Sequence, residues 1–366
     1  MFDLDYGEEE ERAVIEVIRS GWITQGPKTE EYERELAEYF GVKYAIATSS
    51  GTTALHLAYI ASGIQRGSRV IVPSLTFVAT VSPLLWIGAI PVFADIHSLK
   101  YPNLSPEEVE RYAREADAVV FVHYAGFTKF LNAIREIAER NNLTLIEDAS
   151  HAIGSRIGET YAGTVGIAGA FSTFSNKNLS TGEGGFILTD SKEIYERAKL
   201  LRSHGLTTSS YTKFSGGNAT YDVLEIGFNY RITEIGAALG LVQLRKLARK
   251  NSRRVELVGK YRKLLENSGL LIPFDDYENS ANYIFPVVLP EGVERERVIR
   301  FLAKKGIQTS VHYPAVHRFT AFRSFNVHLP KTEMFSRREL TLPLYPDLDE
   351  EDIEYIASSL KESILS

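Results

Sequence analysis

The chain has 366 residues, 44% hydrophobic and 24% charged, and its 41 Lys and Arg against 47 Asp and Glu leave a net charge of −6. This is globular composition, which argues against a disordered or fibrous chain, and the acidic balance argues against a general nucleic-acid binder. With no cysteine, disulfides, thiolate nucleophiles, Cys-ligated zinc and iron–sulfur clusters are excluded.

The N-terminus, Met1-Phe2-Asp3-Leu4-Asp5 followed by Glu8 to Glu11, has neither the basic start nor the apolar run of a signal peptide. Residues 70–94 carry no charge, and a membrane-spanning helix needs about 20 apolar residues. Pro73, Pro83 and Pro91 interrupt the run, and proline breaks a helix interior. It reads instead as a strand (69–72), a buried helix (77–87) and a strand (90–93). The expectation is a soluble, cytoplasmic protein.

In chain order, a helix over 8–20 places Ala13, Val14, Val17 and Ile18 on one face and ends at Gly21. Thr29 can cap a second helix that stops at Gly41. Strands are predicted at 44–48, 69–72, 90–93, 118–122, 143–147, 168–173 and 185–189. Most are continuous apolar runs, the pattern of strands buried on both faces. Ser105-Pro106-Glu107-Glu108 is a helix-start signal with Pro at the first helical position. The sum is an α/β fold, a mostly parallel sheet with helices on both faces, in which ligands sit at the carboxyl ends of the strands. Beyond about residue 235 the pattern changes to a long helix through Leu239, Leu241, Leu244 and Leu247 toward Tyr261 and Leu265. A strand (283–288), a helix (295–305), a strand (307–312) and a last helix (350–360) follow. We read a large domain over 1–250 and a smaller α+β domain over 251–366.

Three local patterns could carry chemistry. Lys177 follows an apolar strand, precedes a glycine-rich stretch, and is the only charged residue between Gly163 and Gly182. A lysine desolvated in this way has a lowered pKa and can act as a nucleophilic amine. The bland alternative is a solvated surface lysine, and the local context leaves both open. Glu147 and Asp148 end a buried strand, ahead of Ser150 and His151. They are either loop acids that cap the next element or a carboxylate poised to meet a cation, such as a protonated pyridine nitrogen. Thr48-Ser49-Ser50-Gly51-Thr52-Thr53 runs from a strand end into a helix, where small hydroxyl residues and a glycine suit a phosphate. Taken alone it reads as helix capping, and it matches neither the dinucleotide nor the Walker pattern.

Taken with the rest of the chain, these patterns resemble the DegT/DnrJ/EryC1/StrS sugar aminotransferases, fold type I enzymes that use pyridoxal phosphate. The resemblance rests on Ser20-Gly-Trp-Ile-Thr-Gln-Gly26-Pro27, Ser50-Gly-Thr-Thr-Ala-Leu55, Pro73-Ser-Leu-Thr-Phe-Val-Ala-Thr80 and Glu147-Asp-Ala-Ser-His-Ala-Ile-Gly154. It continues through Ser172 to Lys177, Gly182-Glu-Gly-Gly185, Arg202-Ser-His-Gly205, Gly227-Phe-Asn-Tyr-Arg231, His312-Tyr-Pro314 and Leu342-Pro-Leu-Tyr-Pro346. Their order and spacing carry the argument. The resemblance implies that Lys177 binds the cofactor and then moves protons, and that Asp148 partners the pyridine nitrogen. It places His151 near the phenolic oxygen and Phe77 on the ring face. Gly51, Thr52 and Ser172 match phosphate-binding positions, and Asn229 matches a phosphate contact made from the other subunit of a homodimer with shared active sites. Arg231 and His312 fall in motifs that could meet substrate. Ser175 and Ala315 depart from the family's usual glycine and proline, away from the chemistry.

The activity so implied is transfer of an amino group from an amino acid, glutamate first, to a nucleotide-linked keto sugar. Alternatives are a sugar dehydratase, a cyclitol or aromatic aminotransferase, or a non-catalytic regulator that binds pyridoxal phosphate. Retention of Lys177 argues against the dehydratase branch, which replaces it with His. No metal is expected, since His312 and His317 lack a third ligand. No nucleic-acid or membrane partner is expected either. Arg245, Lys246, Arg249, Lys250, Arg253 and Arg254 read as a solvated basic face. The loop between Gly205 and Asp222 and the small domain are expected to select the sugar.

Overall fold

The computed structural model describes residues 4–208 and 220–365; of the loop between Gly205 and Asp222, residues 209–219 lie outside the described residues. Helices α1 (Glu8–Ser20) and α2 (Pro27–Phe40) lead into β1 (Tyr44–Thr48) and α3 (Gly51–Ala61). Next come β2 (Arg69–Pro73), α4 (Ser82–Ile87), β3 (Ile90–Ala94), α5 (Pro106–Tyr112), β4 (Ala118–Val122), α6 (Leu131–Asn141) and β5 (Thr144–Asp148). The short hairpin β6 (Arg156–Ile157) and β7 (Thr160–Tyr161) precedes β8 (Ala168–Ser172), β9 (Gly185–Thr189) and α7 (Lys192–Arg202). Then α8 (Glu234–Leu264), β10 (Phe285–Val288), α9 (Arg295–Lys304), α10 (Pro330–Arg338), β11 (Glu339–Leu342) and α11 (Glu350–Leu365) complete the described chain.

Seven strands form one sheet in the order β1-β9-β8-β5-β4-β2-β3. Neighbours are parallel except where β9 pairs with β1 and β8, so β9 alone runs against the rest. Side chains alternate between the two faces of a strand. Val70 and Val72, Ile146, and Ala168 and Ala170 enter one core, beneath α3, α4 and α7. Ile71, Val119, Phe121 and Leu145 enter the opposite core with α5 and α6. Phe171, Phe186 and Leu188 also face away from α3, toward α2 and α8. This alternation separates the two adjacent acids of β5. Asp148 shares the α3 face with Ile146, whereas Glu147 turns the other way. There it accepts from Gly163 N at 2.7 Å, Val165 N at 2.7 Å and Gly166 N at 2.6 Å, and pairs with buried His123 at 2.7 Å. These contacts hold its carboxyl below the usual range against the opposing effect of burial, the largest single influence. Glu147 is therefore a structural acid, and Asp148 is the acid that faces the α3 side.

Helix α8 joins the two parts of the molecule. Leu241, Leu244 and Leu247 pack with α2 under the large sheet, while Leu257, Val258 and Tyr261 enter the core of the C-terminal part with β10, β11, α9 and α11.

Several local expectations are corrected. The stretch 77–87 is a 3-10 turn, Val78–Thr80, followed by the short helix α4, because Pro83 can enter a helix only near its start. Residues 307–312 form no strand; only a bridge between Ser310 and Thr341 is present. Helix α2 begins at Pro27 with Gly26 as its cap, and the Thr29 hydroxyl instead donates to buried Glu234 at 2.7 Å. On α1, Val17 is buried but Ile18 is 58% exposed. The basic residues of α8 are not one solvated face. Lys250 and Arg254 are buried, and Lys246 and Arg249 pair with the acidic N-terminus through Glu9, Glu10 and Asp5. Helix α10 and strand β11 lie where no element was predicted. Among the described residues no helix is long and apolar enough to cross a membrane.

Candidate active site

The carboxyl edge of the sheet brings the three local patterns together. Gly185 pairs with Thr48 on one side and with Ser172 on the other, and Asp148 ends the next strand but one. A cavity of about 390 Å³ opens at this edge, within the size range of small-ligand sites. Its lining includes Gly51, Thr52, Phe77, Asp148, His151, Ser172, Lys177 and His312.

Asp148 is 5% exposed. Its Oδ2 accepts from Thr80 Oγ1 at 2.7 Å, and its Oδ1 accepts from Ser150 Oγ at 2.7 Å. Thr80 is in turn 2.6 Å from Thr76. A buried carboxylate held by two hydroxyls, with no basic side chain among the described residues bonded to it, is ready for a cationic ligand group. Lys177 follows a tight turn in which its N–H donates to Phe174 O at 2.8 Å. Its Nζ lies 4.0 Å from the centroid of the Tyr283 ring. Burial lowers the amine to about 7, partly opposed by the Asp148 charge. The desolvated reading of Lys177 is thus the one this geometry supports.

Ser50 caps α3, accepting from Thr53 N at 3.2 Å, and leaves the amides of the first turn at the cavity. A Cβ on Gly51 would stand 2.6 Å from Ser172 Cβ, so only glycine lets the helix N-terminus approach β8 this closely. The result is an anion cradle of amides and hydroxyls opposite a neutralisable amine and a fixed carboxylate. Pyridoxal phosphate presents a phosphate, an aldehyde and a pyridine nitrogen, and these three groups fit that set.

His151 is buried. Ala125 N–H donates to its Nδ1 at 3.3 Å, and its Nε2 lies 2.7 Å from the Tyr313 hydroxyl. Burial first, then Lys177 and His312, push the imidazole well below its ordinary value. It is therefore the neutral ring with the proton on Nε2, donating to Tyr313. Phe77 is 56% exposed at the cavity wall, 5.8 Å from the Tyr313 ring. Asn229 and Arg231 do not line this cavity. They lie on a segment that follows the end of α7 and β1, where Tyr230 N donates to Arg202 O and Ser49 N to Tyr230 O. Burial and the neighbouring Arg202 lower the Arg231 guanidinium.

Sequence reasoning passed over Thr80, Ser150, Tyr283 and Tyr313. Thr80, Ser150 and Tyr313 sit inside the motifs already quoted, and their neighbours Phe77, His151 and His312 drew the attention. Tyr283 carries no local signal, since it reaches Lys177 from more than 100 residues away only through the fold. Among the described residues no group of three or more His, Asp or Glu side chains is placed to hold a metal ion.

A family model described as the DegT/DnrJ/EryC1/StrS aminotransferase family matches residues 4–361. Uncharacterized protein MJ1066 of Methanocaldococcus jannaschii is 35% identical over 369 residues, covering 98% of this chain and 95% of that protein. PseC of Helicobacter pylori, an aminotransferase involved in the biosynthesis of pseudoaminic acid, superposes with a TM-score of 0.91 at 30% identity, covering 98% of this chain and 97% of its own. The sugar aminotransferase CalS13 of Micromonospora echinospora superposes with a TM-score of 0.90 at 26% identity, covering 98% of each chain. The chain belongs to the DegT/DnrJ/EryC1/StrS aminotransferase family and is a pyridoxal-phosphate-dependent aminotransferase.

Proposed function

We propose that this enzyme moves the amino group of L-glutamate to a nucleotide-linked keto sugar, in a site built chiefly from Lys177, Asp148 and the Gly51–Ser172 cradle. The observation that carries this reading is one cavity holding a desolvated lysine and a buried carboxylate fixed by Thr80 and Ser150. The sugar acceptor is supported by the names of PseC and CalS13.

Gly51, Thr52 and Ser172 would hold the cofactor phosphate, Asp148 the pyridine nitrogen, Phe77 the ring face and Lys177 the aldehyde carbon. Pyridoxal phosphate supplies an electron sink for the charge left when an α-proton departs. Asp148, held by the Thr80 and Ser150 hydroxyls, would face the ring nitrogen as its hydrogen-bond partner. Lys177 Nζ, lowered by burial to about 7, takes the donor's α-proton and later returns one, and a base is most effective with its pKa near the working pH. His151 orients Tyr313 through Nε2, and the Tyr313 hydroxyl then has its own proton free to donate toward the cavity. We assign Asn229 to the site of a partner subunit in a homodimer, Arg231 and His312 to substrate, and the large and small domains to residues 1–250 and 251–366.

The test is an absorbance spectrum of the protein with pyridoxal phosphate, with and without L-glutamate, beside Lys177→Ala. We expect a visible band that glutamate bleaches and that the variant does not form normally. A band indifferent to glutamate would refute the donor, and a normal band in Lys177→Ala would refute the role of the lysine.

A further inference from the structure

Strand β11 turns Leu340 and Leu342 into the core of the C-terminal part. By the alternation of a strand, Glu339 and Thr341 share its other face. The edge of the strand is bridged to the segment carrying His312 by Ser310 N→Thr341 O at 3.1 Å and Thr341 N→Ser310 O at 2.8 Å, and the Glu339 and Thr341 side chains reach His312 beside it. Glu339 is fully buried. Its Oε2 accepts from His312 N–H at 2.8 Å, and its Oε1 lies 2.5 Å from Thr341 Oγ1. Thr341 Oγ1 lies 2.9 Å from His312 Nδ1. The imidazole lines both the main cavity and an adjoining one of about 200 Å³. With Nδ1 engaged by Thr341, Nε2 is the nitrogen left for a ligand.

We propose that Glu339 and Thr341 form a proton relay behind His312, in which the charge on Glu339 decides whether His312 Nε2 donates or accepts a hydrogen bond in the cavity. When Glu339 is ionised, both of its oxygens accept. Thr341 must then give its proton to Oε1 and accept from Nδ1–H, so Nε2 presents a lone pair. When Glu339 is protonated, Oε2 still accepts the His312 amide, so the proton sits on Oε1 and goes to Thr341. Thr341 then donates to Nδ1, and the ring carries its proton on Nε2. One proton passed from Oε1 to Oγ1, one from Oγ1 to Nδ1 and one from Nε2 to a ligand oxygen balance the transfer, and the reverse sequence restores it. The ligand group this serves is an oxygen that must both gain and lose a proton, such as the carbonyl or a neighbouring hydroxyl of the acceptor. Glu339 and Thr341 are positioning residues, acting only through His312.

The groups around the relay are few. Arg295 lies beside Glu339 and bonds to the Ser336 and Glu339 carbonyls, and the Tyr124 hydroxyl donates to His312 O. Lys177, His151, Tyr283 and Tyr313 face the imidazole side. Burial outweighs the Thr341, amide and Arg295 contributions and raises Glu339 to about 8. Burial and Lys177 lower His312 to about 4, so the ring stays neutral while its tautomer changes.

The test is 15N NMR of histidine-labelled holoenzyme, with the His312 signal assigned by its loss in His312→Asn. We expect the proton to move from Nε2 to Nδ1 between about pH 6.5 and about pH 9.5, centred near the carboxyl's value of about 8. Glu339→Gln, whose amide always donates to Thr341, should keep the proton on Nε2 throughout. Thr341→Val should abolish the coupling and Thr341→Ser restore it, and these two carry the test if Glu339→Gln does not fold. A single tautomer across this range in the wild type, or a switch that survives Glu339→Gln, overturns the relay. The inference rests on the cavity being the active site, and the glutamate bleaching experiment reports on that separately, with no dependence on the tautomer.

Discussion

Replacing Gly51 by alanine tests the cradle directly. The added Cβ would stand 2.6 Å from Ser172 Cβ and 3.1 Å from Ser172 Cα. Restoring ordinary contact at 3.4 Å needs a separation of about 0.8 Å between the first turn of α3 and β8. Neither side can yield cheaply, because Ser172 is paired with Gly185 in the sheet and Ser50 is bonded to Thr53. Overpacking of this kind costs about 1–3 kcal/mol. If that cost falls on the bound phosphate, affinity drops about 5- to 150-fold, at 1.4 kcal/mol for each factor of ten. The assay is titration of the apoprotein with pyridoxal phosphate by absorbance, alongside thermal unfolding of both apoproteins. We expect weaker cofactor binding and a thermal midpoint lower by a few degrees. Ser172→Gly in the same chain removes the closest contact and should recover part of the lost thermal midpoint, while the phosphate still lacks the Ser172 hydroxyl. Unchanged affinity and unchanged melting in Gly51→Ala would refute the close approach of α3 to β8.

Two further outcomes follow from the same geometry. Burial lowers Lys177 from 10.5 to about 7, so between these values the unfolded chain binds a proton that the folded chain does not, and stability rises with pH by at most about 1.4 kcal/mol per unit. Lys177→Met should therefore stabilise the apoprotein most below pH 7 and lose that advantage toward pH 10, as read by denaturant unfolding across pH; an advantage independent of pH would contradict the desolvation argument. Thr80→Val removes the hydroxyl 2.7 Å from Asp148 Oδ2, and a hydrogen bond to a charged group contributes about 1.5–3 kcal/mol. The variant should still form the visible band but bleach with glutamate about 10- to 150-fold more slowly; an undiminished rate in single-turnover absorbance would show that Asp148 needs no such support.

Much of the architecture was legible before folding. Continuous apolar runs such as 118–122 read as strands covered on both faces, and all seven sheet strands lie within a residue of their predicted bounds. The errors fell where local pattern competes with packing. Residues 307–312 alternate like a strand, yet the C-terminal sheet offers them only the Ser310–Thr341 bridge. The basic run on α8 looks solvated until α1 brings its acids against it.

For the site, the chain by itself determined which groups exist and which local company they keep. Lys177 alone among small and apolar residues, Asp148 at the end of an apolar strand, and Gly51 after Ser50 at a helix start are properties of neighbours in sequence. The resemblance already pointed to Asp148, but the local run Glu147-Asp148 left the two acids equivalent. The tertiary structure supplied the physical reason, the parity of a strand buried on both faces, which turns Asp148 to the α3 side and Glu147 away. Tertiary structure alone placed Tyr283 under the lysine, Tyr313 on His151, and Glu339 behind His312. Those contacts join residues tens to more than a hundred positions apart, and no local spacing rule encodes them. They form because burying their apolar surroundings draws the C-terminal part onto the edge of the sheet, and a buried polar group must then find its partner there.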